Sequence, residues 1–316
     1  MKQDKLKVGV IGATGMVGQR FLTLLEHHPY FEVTVLAASS SSACKTYAEA
    51  VDGRWKMAEP LPEVYKSMHV YDADADFDTI TKAVDFVFCA VNMKKDEIKA
   101  LEERYAKAET PVVSNNSANR WTDDVPMVIP EINDAHLAVI EAQRRRLGTK
   151  HGFIAVKPNC SIQSYVGMLT PLLKYGITEV IATTYQAISG AGKTFREWPE
   201  MIDNVIPYIG GEEEKSEQEP LKIWGKVEGG RIIKADAPVF SAQCIRVPVT
   251  DGHTAAVFVK FKNKPTKEQI IADWRAFSGK PQSLGLPSAP EHFITYFEEE
   301  NRPQAKLDRD LYGGMG

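Results

Sequence analysis

Of the four cysteines in this 316-residue sequence, Cys160 stands in a setting that favours reactivity. It follows a strand-like run, GFIAVK (152–157), and a Pro158–Asn159 turn. It precedes a helix-period segment with Ile162, Val166, Leu169 and Leu173 on one face. Amides left unpaired at a helix N-terminus favour a thiolate over a thiol, which is how a cysteine becomes a nucleophile near neutral pH. A lone cysteine is otherwise most often a small buried hydrophobe, and that reading suits Cys89 and Cys244, which lie inside apolar strand runs. A thiolate needs an acid/base partner. Of seven histidines, only His253 stands on a tight Asp251–Gly252 turn between two strand-like runs. His27 and His28 end a surface helix, and His69, His136, His151 and His292 have no comparable setting. Arg246 lies seven residues before His253 on the preceding strand. Its planar fork suits a carboxylate held by two parallel bonds.

A second constellation lies near the N-terminus. LKVGVIG (6–12) runs into GATGMVG (12–18) and then an amphipathic segment, so Gly12, Gly15 and Gly18 stand where a strand–turn–helix would wrap a pyrophosphate. The spacing is GxxGxxG rather than GxGxxG, and a glycine trio alone can be a tight turn. Its place after the first strand favours the cofactor reading. NAD needs an acid at the end of the second strand for its ribose 2′-hydroxyl. Here that strand ends Leu36, Ala37, Ala38, followed by Ser39, Ser40, Ser41, Ser42 and then Lys45. A flexible serine loop is the plain alternative, but hydroxyl donors, one cation and no acid point to NADP.

These residues need elements to position them. In the first half, short β-branched runs alternate with helix-period segments, the pattern of a parallel sheet with crossover helices. Strands are expected at 6–12, 31–37, around Met68 to Tyr71, at 84–91, 111–115 and 152–157. Val17, Phe21, Leu24 and Leu25 mark one apolar helical face, and Ile98, Leu101 and Tyr105 another. A further helix is expected from an Asn133 N-cap to a solvated end at Arg144, Arg145 and Arg146. The second half reads as a mixed or antiparallel sheet from ITEVIATTYQA (177–187), PVFSAQCIRVPV (238–249) and TAAVFVKFK (254–262). Residues 210–220 read as a polar surface loop leading into a helix, and 278–291 as a Pro/Gly/Ser-rich loop. The boundary falls near Lys157, giving a nucleotide-binding domain at 1–157 and a catalytic domain at 158–316.

Composition narrows the function classes. A net charge of -4 gives no basic footprint for nucleic acid. No apolar run approaches the ~18 to 20 residues of a membrane span, and the N-terminus lacks a signal-peptide core, so a cytoplasmic enzyme without membrane partners is expected. Scattered cysteines without a CxxC pair suggest neither a disulfide framework nor a metal site.

Taken together, GATGMVG, SSSSACK, SNNSANR with Arg120, VIPEIN, PNCSIQ, YQAISGAGK, NVIPYI, EPLK and CIRVPVTDGH resemble aspartate-β-semialdehyde dehydrogenases across nearly the whole chain, in the archaeal and fungal branch. PNC followed by YQAxSGAG and RVPVxxGH is specific in combination. The resemblance implies an α/β Rossmann-type NADP-binding domain. It also implies an α+β mixed-sheet catalytic and dimerisation domain like that of glyceraldehyde-3-phosphate dehydrogenase, in a homodimer or homotetramer. It implies Cys160 as acyl-enzyme nucleophile, His253 as acid/base and Gln186 as the residue orienting the intermediate. Arg246 would clamp the substrate α-carboxylate and Glu219 accept its amino group, with Glu212 offering the same spacing to Lys215. Arg120, Asn159 and Lys222 would hold phosphate. Cofactor contacts would come from Gly12, Thr14, Gly15, Met16, Val17, Ser39, Ser40, Ser41, Ser42, Lys45, Ser117, Ser189, Gly190 and Gly192.

The implied reaction attaches β-aspartyl phosphate to Cys160 as a thioester, releases phosphate, and reduces the thioester with NADPH to the aldehyde, a step toward lysine, threonine and methionine. Two relatives use similar chemistry, N-acetyl-γ-glutamyl-phosphate reductase and archaeal malonyl-CoA reductase, and the second is the stronger rival. A non-catalytic NADP-binding regulator would not need Cys160, Gln186, Arg246 and His253 together. Family members continue past the NRPQAKLDRD run, so a longer parent protein is expected.

Overall fold

In the computed structural model, which describes residues 4–314, the β-branched runs of the first half form six strands. They are β1 (Leu6–Ile11), β2 (Phe31–Ala38), β3 (Val70–Asp72), β4 (Phe86–Cys89), β5 (Val112–Ser114) and β6 (Ile154–Val156). All neighbours pair in parallel in the order β3-β2-β1-β4-β5-β6. Val8, Val10 and Ile11 of the central β1 are fully buried, as a parallel strand covered on both faces requires. The strand order reverses between β1 and β4, the switch point where open α/β sheets bind nucleotides.

Helices α1 (Met16–Leu25), α2 (Tyr47–Ala50), α3 (Glu63–Lys66), α4 (Phe77–Ala83), α5 (Lys95–Lys107), α6 (Pro130–Asn133) and α7 (Ile140–Leu147) lie between these strands in sequence. Ile98, Leu101 and Tyr105 form the buried face of α5, as their spacing indicates. On α1 the face differs from expectation. Gly18, Gln19, Leu22 and Leu25 are buried, whereas Val17 and Leu24 are 41% and 44% exposed. The cause is a close approach: a Cβ on Gly18 would lie 2.3 Å from the Gly12 carbonyl oxygen. The helix therefore meets the first turn through its glycine, and Phe21 stacks on Phe88 at 4.6 Å.

Asn133 is not an N-cap but the last residue of α6. Its Oδ1 accepts from the Ile129 amide at 2.8 Å, and its Nδ2 pairs with His136 Nδ1 at 3.0 Å. A 3-10 turn (Asp134–Val139) precedes α7. The basic end of α7 is less solvated than expected, since Arg146 grips Asp124 with Nε at 2.5 Å and Nη2 at 2.9 Å.

In the second half, β7 (Ile177–Gln186) is flanked in a three-stranded sheet by two strands introduced in chain order after a short ribbon. The ribbon is β8 (Lys226–Glu228) with β9 (Arg231–Ile233). The flanking strands are β10 (Val239–Arg246), parallel to β7, and β11 (Thr254–Phe261), antiparallel to it. α8 (Gln163–Leu169) and α9 (Glu212–Ile223) precede and follow β7. The stretch expected as a polar loop at 210–220 is thus mostly helix. Its acidic first turn suits a helix N-terminus, and Ser216, Glu219, Lys222 and Ile223 form a buried stripe. The loop expected at 278–291 contains one helical turn, Lys280–Ser283.

The chain divides into two compact units: residues 4–127, 137–157 and 229–231, and residues 128–136, 158–228 and 232–314. This differs from the division at 157/158 in two short segments. Residues 128–136 go with the second unit because His136 Nε2 lies 3.0 Å from the Gly225 carbonyl oxygen, a contact between segments distant in sequence.

Candidate active site

The ends of β7 and β10 and the start of β11 gather the reactive side chains of the second unit. Gln186 and Arg246, the last residues of β7 and β10, are partners in the parallel register. Thr254, which starts β11, pairs with Tyr185, so the preceding His253 arrives at the same end. Gly252 turns the chain into β11 with φ +92°, a conformation open to glycine.

Cys160 is exposed, one turn ahead of α8, and its Sγ lies 3.2 Å from His253 Nε2. The other ring nitrogen, Nδ1, accepts the Ala187 backbone N–H at 3.0 Å. An accepting Nδ1 carries no proton, so the neutral ring holds its proton on Nε2, toward the sulfur. The Ala187 carbonyl accepts Arg246 Nη1 at 2.7 Å. One backbone unit thereby orients the histidine and the arginine. Nothing in the residue type of Ala187 signals this role.

Arg246 is buried, and its backbone is clasped by Ile206 through bonds of 2.9 and 3.0 Å. Burial pulls its pKa down, opposed by the charges of Glu212, Cys160 and Cys244. Glu212, at the start of α9 with its side chain 14% exposed, accepts Lys215 Nζ at 2.7 Å and Asn159 Nδ2 at 2.8 Å. Burial would raise its pKa, but those hydrogen bonds and the Lys215 and Arg246 charges outweigh it and hold the carboxyl below its usual range. Glu212 thus holds the residue before Cys160, and Arg246 Nη1 and His253 Nε2 both flank Gly190, so a carboxylate and a guanidinium border the thiol–imidazole pair.

Glu219 takes a different place. It is fully buried and accepts the Asn159 amide at 2.6 Å, so it supports the Cys160 turn from below. Asn159 continues that support: its Oδ1 accepts the Ser161 amide at 2.8 Å and the Ser161 hydroxyl at 2.7 Å. Lys222 is also buried, and after desolvation its charge contributes to the lowered pKa of His136. Gln186 is buried with Nε2 3.2 Å from Thr184 Oγ1. The 3-10 turn Ile188–Ala191 holds Ser189 and Gly190, with Gly192 closing it at φ +68°. Gly190 lies where an added Cβ would be 2.8 Å from Arg246 Nη1 and 3.2 Å from His253 Nε2.

The first unit carries the glycine turn at the β1/β4 switch. Gly12 has φ +89°, and a Cβ there would lie 2.4 Å from the Ala90 carbonyl oxygen. Three successive carbonyls of the turn are engaged by the protein: Gly12 by the Gly15 amide at 3.1 Å, Ala13 by Tyr47 Oη at 2.8 Å and Thr14 by Gln19 Nε2 at 3.0 Å. The turn feeds the ten-residue α1, whose first residues Met16 and Val17 present amides without intrahelical partners. This arrangement fits a pyrophosphate. After β2 come exposed Ser39, Ser40 and Ser41, with Ser39 Oγ 3.0 Å from Ser41 Oγ and Lys45 Nζ 3.4 Å from the Ser41 carbonyl oxygen. Ser42 differs from the expected contact set: it is buried beneath the turn. No acid follows β2 before this turn, so the donor set fits a 2′-phosphate.

Also in the first unit, Arg120 is buried, with Nε on the Lys157 carbonyl at 3.0 Å. The loop holding it and half-buried Ser117 is tied to Glu102 of α5, which accepts Ser114 Oγ at 2.5 Å and Asn119 Nδ2 at 2.7 Å. Sequence reading missed Glu102, although a carboxylate on the buried face of an amphipathic helix was a visible signal.

Residues 7–140 match the semialdehyde dehydrogenase NAD binding domain, and residues 169–313 the semialdehyde dehydrogenase dimerisation domain. The chain is 43% identical over 311 residues to an aspartate-semialdehyde dehydrogenase of Methanothermobacter thermautotrophicus, covering 98% of this chain and 87% of that protein. It is 40% identical to the Aspergillus fumigatus enzyme over 325 residues, with 98% and 85% covered. Its fold matches the crystal structure of aspartate semialdehyde dehydrogenase with NADP from Candida albicans at TM-score 0.85 and 38% identity, over 99% of this chain and 88% of that one. With near-complete coverage at these identities, this chain belongs to the aspartate-semialdehyde dehydrogenase family.

Proposed function

We propose that this chain catalyses the NADPH-dependent conversion of β-aspartyl phosphate to aspartate β-semialdehyde and phosphate. The observation that carries the reading is the placement around the Cys160–His253 pair of Arg246, which flanks Gly190 together with His253, and Glu212, which holds Asn159 next to Cys160. An amino-acid substrate offers a carboxylate to the guanidinium and an ammonium to the carboxylate. Malonyl-CoA has no ammonium, and Glu212 would repel its carboxylate.

Glu212 takes the ammonium role in place of Glu219, whose carboxylate is enclosed and committed to Asn159. Lys215, partly exposed beside Glu212, is the cation this unit offers to phosphate in place of buried Lys222. Arg120, Asn159 and Gln186 keep the roles that the family pattern assigns, with Asn159 also fixing the cysteine turn.

The Cys160 thiolate attacks the acyl carbon, the bond to phosphate breaks, and a thioester remains on sulfur. NADPH, which the glycine and serine turns of the first unit would hold, would supply the hydride that reduces the thioester. The resulting alkoxide re-forms a carbonyl by expelling sulfur, and the His253 Nε2 proton is placed to hydrogen-bond the departing thiolate. The glycine turn and the serine turn of the first unit bind the cofactor through its pyrophosphate and 2′-phosphate.

The sheet of the second unit leaves one face open. Ile181 and Phe258 pair across β7 and β11 on it, Tyr185 and Val239 join them, and Phe258 and Val239 are 62% and 69% exposed. A contiguous apolar face of this kind marks an interface, and the dimerisation-domain match supports a homodimer formed through it.

Phosphate-dependent NADP reduction with aspartate semialdehyde, run beside malonyl-CoA-dependent NADPH oxidation, tests the reading. Activity on the semialdehyde, lost in Cys160→Ser and weakened in KM by Glu212→Gln, is expected. Glu219→Gln should instead lower the melting temperature. Turnover of malonyl-CoA alone would refute the proposal.

A further inference from the structure

Gln19 is a fully buried polar residue in α1. Its Nε2 donates to the Thr14 and Arg54 carbonyls, both at 3.0 Å, and its Oε1 accepts the Lys56 amide at 2.7 Å. A buried amide with both ends engaged is a rigid joint. It ties residues 54–56 to the glycine turn. From that anchored backbone the exposed Arg54 side chain brings Nη2 to 3.3 Å from Ser42 Oγ, beneath the serine turn, and to the Ala50 carbonyl that ends α2. Arg54 thus joins the pyrophosphate-binding turn, through its main chain, to the turn after β2, through its guanidinium. The serine turn has exposed hydroxyls on Ser39 and Ser41 and no acid. A guanidinium beside it, with donors beyond those used on Ser42 and Ala50, can give a phosphate a charge-assisted, geometrically defined contact that serines alone cannot.

We propose that Arg54 is a determinant of NADP specificity, its guanidinium binding the 2′-phosphate, and that Gln19 is the positioning residue that holds it there. The assignment rests on reading Ser39–Ser41 as the 2′-phosphate turn. An arginine serving only to cap α2 would make the same two bonds in the free protein, so the test must separate cofactor choice from folding.

In the full chain, KM for NADP and for NAD is measured in Arg54→Ala, Arg54→Lys, Arg54→Gln, Gln19→Ala and the double variant Ser39→Ala/Ser41→Ala. Binding of 2′,5′-ADP and of 5′-AMP is measured by calorimetry, with a thermal melt of each variant. Arg54→Ala should raise KM for NADP about tenfold, within the range of a charged hydrogen bond, and leave that for NAD within twofold. Affinity for 2′,5′-ADP should fall by the same factor while 5′-AMP is unaffected. Lysine should restore part of the loss, and glutamine, which keeps a neutral donor, should not. Gln19→Ala should shift NADP in the same direction as Arg54→Ala. Equal shifts for NADP and NAD, or an unchanged KM for NADP, would overturn the proposal. If the double serine variant shifts NADP and Arg54→Ala does not, only the Arg54 assignment fails. If neither shifts it, the reading of the serine turn fails as well.

Discussion

Replacing Gly190 with alanine adds one methyl group at the point where the arginine and histidine of the site meet. The new Cβ would stand 2.8 Å from Arg246 Nη1, 3.1 Å from His253 Cε1 and 3.2 Å from His253 Nε2. Carbon and nitrogen atoms sit at about 3.5 Å in ordinary contact, so the guanidinium must retreat by roughly half an ångström or more. Retreat strains or breaks the 2.7 Å bond from Nη1 to the Ala187 carbonyl. A hydrogen bond from a charged donor contributes about 1.5–3 kcal/mol, and a 1.4 kcal/mol loss is tenfold. The expected fall in kcat/KM for the semialdehyde is therefore about 10- to 100-fold. The nearer atom belongs to Arg246, so KM carries most of the change, with a smaller fall in kcat from displacement of His253. The backbone itself accepts alanine, because Gly190 sits in a 3-10 turn without positive φ. The reduced freedom of the unfolded chain, about 0.4–1 kcal/mol, offsets only part of the strained Arg246 bond, so the melting temperature should fall slightly. Gly192→Ala is the contrasting control: it has open space but φ +68°, so it should lower the melting temperature without crowding Arg246 or His253. Steady-state kinetics and thermal melts on both variants test the argument. A Gly190→Ala enzyme within twofold of the parent in kcat/KM would refute the idea that this glycine makes room for the pair.

Two further expectations concern exposed residues, one in each unit. Glu109 accepts the amides of His151 at 2.6 Å, Gly152 at 2.9 Å and Lys150 at 2.9 Å, and these bonds hold its pKa down to about 2 from 4.5. A depressed folded pKa gives stability that is present above the unfolded value and lost as pH falls through the folded one. The melting-temperature deficit of Glu109→Gln should be full at pH 6, shrink between about 4.5 and 2, and vanish below. A pH-independent deficit would contradict this. Phe258→Asp places a charge in the open face of the three-stranded sheet and should shift the assembly to monomers in analytical ultracentrifugation. An unchanged sedimentation coefficient would place the interface elsewhere.

Much of the framework was legible because its signals are local. The β-branched runs marked β1 to β6 and β7, β10 and β11, since alternation and flanking turn residues act within a few positions. The glycine turn, the serine turn, the Pro-Asn-Cys turn and the Asp-Gly-His turn were readable for the same reason: backbone conformation there is set by residue type. What stayed hidden depends on which neighbour each element meets. The charged stretch from Glu212 reads as solvated, yet packing buries a stripe that includes Glu219 and Lys222. Spacing offers Glu212–Lys215 and Glu219–Lys222 equally, and only helix phase against the core leaves one pair partly exposed and encloses the other. On α1, the glycine contact at Gly12 turned the buried face away from Val17 and Leu24. The orientation of His253 and Arg246 comes from the backbone of Ala187. Every residue except proline carries that N–H and every residue that carbonyl, so residue identity cannot reveal which pair will be brought to the site. Sequence thus determined the chemistry available and the strands that carry it, while tertiary packing decided which carboxylate is enclosed beneath the cysteine turn and which backbone unit orients the His253 ring.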